Sequence, residues 1–380
     1  MTFLLEAVKS PSRSARPVKF AVVGLGHIAQ AAVLPAFKHA RPHVELTALV
    51  SDSPTKLKEL GRRYRVEHLS SYANADKLFD SGAVDAVYIA TPNSEHIEWV
   101  LRAANSGLHV LCEKPLATTV GDCERMIEAC ERNGVQLMTA YRLHFERCNL
   151  EVADIVRKKR IGDARYFDSQ FSMQVKPGNI RLDRELGGGP EWDIGIYCQN
   201  AARYVFADEP TQVWATATNS GDSRFNEVPE TVHVILKFPG ERIANFVCSF
   251  GAADRSRYEI VGTKGSVVCD PAYEYAEGLG YELTVGEKKK RKKFAKSDQF
   301  APELVHFAKS VRANRRPEPS GTEGLIDVAI ISAIHRSLAT GGWAAVEAPE
   351  KRRRPSLRQE MRRPAVPREP KLVQAESGHR

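Results

Sequence analysis

An acid, a base and a proline close a short apolar run at residues 109–118, HVLCEKPLAT, where Glu113, Lys114 and Pro115 stand together. An ammonium at the end of a buried strand can hydrogen-bond a reacting hydroxyl and lower the pKa of a neighbouring acid. An exposed strand-end lysine followed by a strand-breaking proline would read the same, and the tripeptide alone does not choose. A second set lies in ELGGGPEWDIGIYCQNAARYVF, residues 185–206. Its glycines and proline let the chain turn tightly into a helix on which Asp193 and Tyr197, four residues apart, share a face. A tyrosine hydroxyl, with an ordinary pKa near ~10, becomes a usable proton carrier where a cation stabilises its phenolate. The plainer alternative is an acid favoured by the helix N-terminus above a core tyrosine.

A third set tells what these groups would act beside. In GLGHIA, Gly24, Gly26 and Ala29 fit G-x-G-x-x-A between the strand-like VKFAVV and a helical segment. Gly24 permits the tight turn, Gly26 lets backbone approach a pyrophosphate, and Ala29 allows close helix–strand contact. With His27 and Ile28, the helix start offers N–H groups and positive potential to a dinucleotide. The second strand ends in LVSDSPTK. Asp52 stands about where an acid binds the adenosine ribose of NAD, whereas Ser51 and Lys56 can cradle the 2′-phosphate of NADP. Asp52 as a helix N-cap before Pro54 is a third possibility, so the expected cofactor is NADP or NAD. ATPNSEH, residues 90–96, ends the next strand of this half, on the edge that faces the ligand crevice. Thr91, Pro92, Asn93 and His96 are cofactor-contact candidates there, although Asn93 and Ser94 can instead cap the following helix. Glu113 and Lys114 fall on the same edge, which lets Glu113 hold the nicotinamide or its ribose.

The elements that position these groups alternate strand and helix up to about residue 140. That predicts a parallel, doubly wound (Rossmann) sheet with helices on both faces. After residue 145 the pattern changes to strand-like runs such as ETVHVILKF and RIANFVCSF, joined by turns at PGER and GTKG. The expectation is a second, α+β domain with a mostly antiparallel open sheet and helices near 190–206, 300–314 and 322–340. The domain assignment is a flexible N-terminus at 1–16, a dinucleotide-binding domain at 17–142, a substrate and oligomerisation domain at 143–345, and a basic disordered tail at 346–380.

A 380-residue chain that is 42% hydrophobic and 27% charged fits a globular two-domain protein. It has no apolar run long enough to span a membrane, and its start lacks the pattern of a signal peptide, so a cytoplasmic location is expected. Seven cysteines, an odd number without a C-x-x-C pair, predict buried free thiols and no metal site. The net charge of +8 sits mostly in residues 351–380, whose ten Lys/Arg and three Glu leave the rest near neutral. No specific nucleic-acid partner is therefore expected, and KKKRKK at 288–293 reads as a solvated loop.

In this order the segments resemble the Gfo/Idh/MocA oxidoreductase family over about residues 18–345. Within it they resemble the glucose–fructose oxidoreductase branch through VYIATPNSEHIEWVLRAANSGLHVLCEKPLATTVGDCERMI, YRLHFE and RELGGGPEWDIGIYCQNAARYVF. The resemblance implies that Lys114 is the catalytic lysine of the E-K-P motif. It gives Asp193 as the acid and Tyr197 at a place where many members carry histidine. Arg142 and Arg181 match cleft positions, the first toward the cofactor and the second toward the substrate. It also implies a homodimer or homotetramer formed through the open sheet. Asp52 stands where the branch's NADP-retaining enzyme has glycine, so a dehydrogenase that releases its cofactor is expected. The expected reaction moves a hydride between a nicotinamide and a carbinol carbon of a sugar, cyclitol or related polyol. Tyr197 would exchange the proton, Lys114 would bind the same oxygen and Asp193 would orient the substrate. The rivals are a redox-inert sensor of dinucleotide or sugar with this fold, and a dihydrodiol-type dehydrogenase.

Overall fold

The computed structural model describes residues 16–349, 353–368 and 370–378. Its first sheet comprises β1 (Val18–Val23), β2 (Val44–Val50), β3 (His68–Ser70), β4 (Ala86–Ile89), β5 (His109–Glu113) and β6 (Leu137–Ala140). The order is β3-β2-β1-β4-β5-β6, and every pairing is parallel. Strands covered on both faces must be apolar throughout; of β1 only Lys19 escapes full burial, and β4 and β6 are buried along their length. The order reverses between β1 and β4, so their carboxyl ends open a crevice. The connecting helices are α1 (Leu34–His39), α2 (Pro54–Tyr64), α3 (Ala75–Phe79), α4 (His96–Asn105) and α5 (Val120–Arg132). A π-helical turn, Ala29–Val33, leads into α1.

The second half begins with α6 (Arg147–Arg157), β7 (Ala164–Ser172) and α7 (Ile196–Phe206). It continues through β8 (Gln212–Thr218), β9 (Thr231–Phe238), β10 (Arg242–Ser249), β11 (Arg255–Gly262), β12 (Gly265–Cys269), β13 (Gly280–Val285) and β14 (Lys288–Lys293). Two helices, α8 (Phe300–Arg312) and α9 (Gly321–Thr340), precede a short β15 (Ala344–Ala345). The nine strands run β14-β13-β12-β11-β7-β10-β9-β8-β15. Pairing is antiparallel except between β7 and β10. PGER and GTKG do close the β9–β10 and β11–β12 hairpins.

The two last helices tie the halves together. Ile326, Ile330 and Ile334 of α9 join the core of the second sheet, while Leu325, Val328 and Ile331 join that of the first. A helix apolar all round fits such a sandwiched place. Helix α8 returns to the first domain: Phe300, Leu304 and Phe307 share a core with Phe20 of β1, the rings of Phe20 and Phe307 being 6.1 Å apart. Sequence pattern had assigned that segment to the second domain.

Three further expectations need correction. KKKRKK is not a loop but β14, an exposed edge strand paired with β13; lysine on an edge discourages further pairing. Ser94 does not cap α4, which is entered through a 3₁₀ turn, Asn93–Glu95, without a side-chain cap. The tail is not loose where it is described. Arg354 donates to Glu209, and Met361 N to the Phe145 carbonyl at 3.3 Å. Val373 is buried, exchanging two hydrogen bonds of 2.8 and 2.9 Å with the side chain of Gln30. Without apolar periodicity, the tail is held one group at a time by polar side chains and backbone groups of the body. The expected flexible segment at 1–16 lies outside the described residues except for Arg16.

Candidate active site

The turn after β1 sets the floor of the crevice. Gly24 has φ +85°, and a Cβ there would meet the Ala90 carbonyl oxygen at 2.6 Å, whereas one at Gly26 would meet open space. A non-glycine residue fails at the first position for both reasons; the second leaves room for a phosphate against the backbone. From this turn a cavity of about 420 Å³ runs between the two halves. Gly24, Gly26, His27 and Ile28 line one end with Ser51, Lys56 and Tyr72. Thr91, Pro92, Asn93, Glu113, Lys114 and Arg142 line the middle. Arg181, Asp193 and Tyr197 close the other end from the second domain.

Two predicted contacts are not among the lining residues. Asp52 is exposed and accepts a 2.8 Å hydrogen bond from Tyr72 N, tying the loop after β3 to the end of β2. Nor does it cap α2, since the Ser53 side chain accepts from Lys56 N. His96 is fully buried, with Nδ1 2.9 Å from the Pro115 carbonyl and Nε2 3.2 Å from that of Thr91. It braces the two strand-end loops from behind.

The second domain reaches the crevice through its glycine loop. Gly187 has φ +79°, and a Cβ there would strike Thr118 and Asn93 within 3 Å. Asn93 Nδ2 instead donates to the Gly187 carbonyl at 2.9 Å. The loop then enters a π-helical turn, Glu191–Gly195, continuous with α7, and this brings Asp193 and Tyr197 to the cavity.

Lys114 is the centre of the charged cluster. Its Nζ donates to the Asp193 carbonyl oxygen at 2.8 Å and to Asp193 Oδ1 at 2.9 Å, and lies 4.9 Å from the Tyr197 ring centroid. Arg181 Nε donates to the other carboxylate oxygen at 2.6 Å. Burial alone would raise the Asp193 pKa, but Arg181 and Lys114 hold it well below the usual carboxylate range. Burial alone would lower that of Lys114, yet Asp193 and Tyr197 turn it upward. Both groups are therefore charged at neutral pH. An ammonium has three donors; with two committed to Asp193, one is left for an oxygen in the cavity. Arg142 is buried, hydrogen-bonded to Gln299 and the Tyr273 carbonyl, with its guanidinium carbon 4.8 Å from the Tyr197 ring. Two cations thus stand against the Tyr197 ring.

The residues fit a dinucleotide on independent grounds. The buried Thr91 Oγ1 and both oxygens of Glu303 have no hydrogen-bond partner in the protein although they line this cavity, and native structures rarely leave such groups orphaned. Nothing in the sequence singled out Glu303, because it lies in an ordinary helical stretch whose docking partner only the fold reveals. All seven cysteines are buried and free. Among the described residues, no cluster with metal-ligand character occurs, and no helix is long and apolar enough to cross a membrane.

A doubly wound sheet with a glycine turn, and a lysine, tyrosine and aspartate facing it from two domains, define a nicotinamide-dependent oxidoreductase. Residues 18–141 match the model of an oxidoreductase family with an NAD-binding Rossmann fold, and residues 149–268 match the GFO/IDH/MocA C-terminal domain. The chain is 32% identical to D-xylose 1-dehydrogenase [NADP(+)] of Haloarcula marismortui over 85% of its own length and 92% of that protein's. It is 30% identical to a second NADP(+) D-xylose 1-dehydrogenase, from Haloferax volcanii, over 86% and 99%. The solved aldose–aldose oxidoreductase of Caulobacter crescentus, complexed with glycerol, superposes with a TM-score of 0.83 at 37% identity, covering 87% of this chain and all of that one. The chain belongs to the Gfo/Idh/MocA oxidoreductase family.

Proposed function

We propose that the protein is an NADP-preferring sugar oxidoreductase that moves a hydride between the nicotinamide and a carbinol carbon, with the C1 hydroxyl of an aldose as the first candidate. The observation that carries this is the convergence of Lys114, Asp193 and Tyr197 at the crevice end remote from the adenosine side. The xylose dehydrogenases and the aldose–aldose oxidoreductase support a sugar as substrate. A redox-inert sensor has no use for a proton relay, and the surviving cluster argues against that rival.

The bound nicotinamide supplies hydride acceptance and return. The third donor of Lys114 holds the reacting hydroxyl oxygen, and Tyr197 Oη takes up or returns its proton, with Lys114 and Arg142 balancing the charge. Asp193 has both oxygens engaged by cations, so its part is to hold Lys114 and Arg181 in place rather than to grip the substrate as its position in sequence suggested. Arg181 then faces the sugar's other hydroxyls.

Preference for NADP rests on the adenosine end. Asp52 is turned to Tyr72 N, away from the ribose place, while Ser51 and Lys56 face the cavity. Burial lowers the Lys56 pKa, as expected for an ammonium awaiting an anion. We further read the enzyme as cytoplasmic, in keeping with its reduced thiols. We also read it as a homodimer or homotetramer joined through the outer face of the second sheet, where Tyr166 and Ile243 are exposed side by side on paired strands. The test is a panel of aldoses and polyols followed at the nicotinamide absorbance with NADP⁺ and NAD⁺. Turnover of at least one aldose with NADP⁺ ahead of NAD⁺ is expected. Tight dinucleotide binding without turnover of any sugar would contradict the enzyme and favour the sensor.

A further inference from the structure

Glu303 sits on α8, the helix that leaves the second half to pack against the first, and its side chain lines the middle of the cavity beside Glu113 and Arg142. It is 1% exposed, and neither carboxyl oxygen has a hydrogen-bond partner in the protein. Neighbouring Glu113 is already served, accepting from the Tyr88 hydroxyl at 2.7 Å and from Lys114 N. A buried carboxyl with no partner costs the fold stability and needs a compensating role. Accepting from a ligand seated in the cavity would supply one. We propose that Glu303 is a positioning residue for the cofactor, its carboxyl hydrogen-bonding the nicotinamide riboside half. This rests on the dinucleotide reading above. Burial and the nearby Glu113 charge push the Glu303 carboxyl well up in pKa, with Arg142 opposing and Asp298 adding to the push. A carboxyl held protonated there would both donate and accept, which suits a carboxamide or ribose hydroxyls.

Binding, rather than turnover, tests this. Wild type, Glu303→Leu and Glu303→Gln are titrated with NADPH and with adenosine 2′,5′-bisphosphate, which lacks the nicotinamide half. Glu303→Leu should weaken NADPH about tenfold or more and leave the bisphosphate unchanged, while Glu303→Gln, neutral and able to bond both ways, stays close to wild type. The proposal is overturned if Glu303→Leu holds NADPH like wild type, if it loses both ligands in parallel as a merely structural residue would, or if Gln is as poor as Leu. Wild type binding neither ligand would instead defeat the dinucleotide reading, and the proposal with it.

The tail carries a second inference on separate observations. Lys371 O accepts from Arg63, Val373 pairs with Gln30, and the side chains of Gln374 and Ser53 meet at 2.7 Å. Gln30 follows the dinucleotide turn, and Ser53 stands between the cavity residues Ser51 and Lys56. Only a few residues on, the Gly378 carbonyl accepts from Lys176 N at 3.1 Å. A Cβ on Gly378 would meet the Arg181 guanidinium at 2.5 Å. Eight residues span up to ~28 Å when extended, enough to bridge from the adenosine wall to the substrate wall. We infer that residues 371–378 strap the outside of the cofactor crevice, bridging its two walls and slowing cofactor exchange. NADPH release is measured by stopped-flow chase in wild type, in a chain ending at residue 369 and in Val373→Asp. Release about tenfold faster in both variants is expected. Unchanged release would refute it, as would tighter binding on truncation, which would mean that the tail competes with the cofactor.

Discussion

Two clusters of buried charge stand along one helical stretch and differ in how completely they are closed. At its start, Asp193 holds Lys114 and Arg181 at the edge of a cavity, leaving donors over. Ten residues later Arg203, itself fully buried, spends Nε and Nη2 on Glu209 and Nη1 on Glu323 and Asp327. Asn200 donates to the same Glu323 oxygen, and both Asn200 and the Tyr141 hydroxyl donate to the other oxygen of Asp327. The second cluster joins α7 to α9 and has no unspent guanidinium nitrogen. The first keeps an ammonium donor, two orphaned carboxyl oxygens at Glu303 and the Thr91 hydroxyl facing one space. The Arg203 cluster is thus saturated within the protein, whereas the one at the cavity leaves capacity for a ligand.

The comparison can be broken in four places. Lys114→Met should cost turnover about 10² to 10⁴-fold, the range for a positioned proton-transfer group, while NADPH affinity changes little. Equal turnover would place Lys114 outside the chemistry. Arg203→Met should leave Glu323 and Asp327 buried without their cation and cost about 3–5 kcal/mol of folding stability. Denaturant unfolding reads that loss, and turnover per folded molecule should stay near wild type. Asp193→Asn should do the reverse, lowering turnover about tenfold or more with a smaller loss of stability. Its pH signature is specific. Asp193 has a depressed pKa in the folded state, so its stabilisation is fully present above the unfolded value of about 3.9 and is lost as pH falls through and below it. The variant should flatten that acid limb: its deficit against wild type is full and constant between pH 5 and 8 and shrinks as pH falls below about 3.9. Smallest is Asp52→Asn: because this side chain caps Tyr72 N, the NADP-to-NAD preference should shift less than about threefold and stability by no more than ~1 kcal/mol. A large swing in cofactor preference would return Asp52 to the ribose.

What was legible in the sequence is what local pattern can carry. Continuous apolar strands ending on Gly24, Thr91 and Glu113 disclosed a parallel sheet and the edge on which a ligand sits. The four-residue spacing of Asp193 and Tyr197 survived the π-helical turn because both still reach the cavity. Three things depended on tertiary placement and could not be read. Asp52 and His96 have the right types at the right strand ends but are claimed by backbone groups of neighbouring loops. Glu303 is one acid among many until α8 docks against β1. The tail has a disordered composition, yet Gln30, Arg63 and Ser53 each offer it a partner. For Asp52, His96 and the tail the outcome was decided by hydrogen bonds between separate segments, and for Glu303 by the packing of α8.

Hydride transfer in this site requires one substrate oxygen to meet Lys114 and Tyr197 while its carbon faces the nicotinamide. A crystal structure of the chain with NADP⁺ and an aldose it turns over measures this directly. One sugar hydroxyl should lie within hydrogen-bond reach of both Lys114 Nζ and Tyr197 Oη, its carbon about 3–3.5 Å from nicotinamide C4. A nicotinamide bound away from Lys114, or a sugar seated where neither side chain touches its reacting carbon's oxygen, would contradict it.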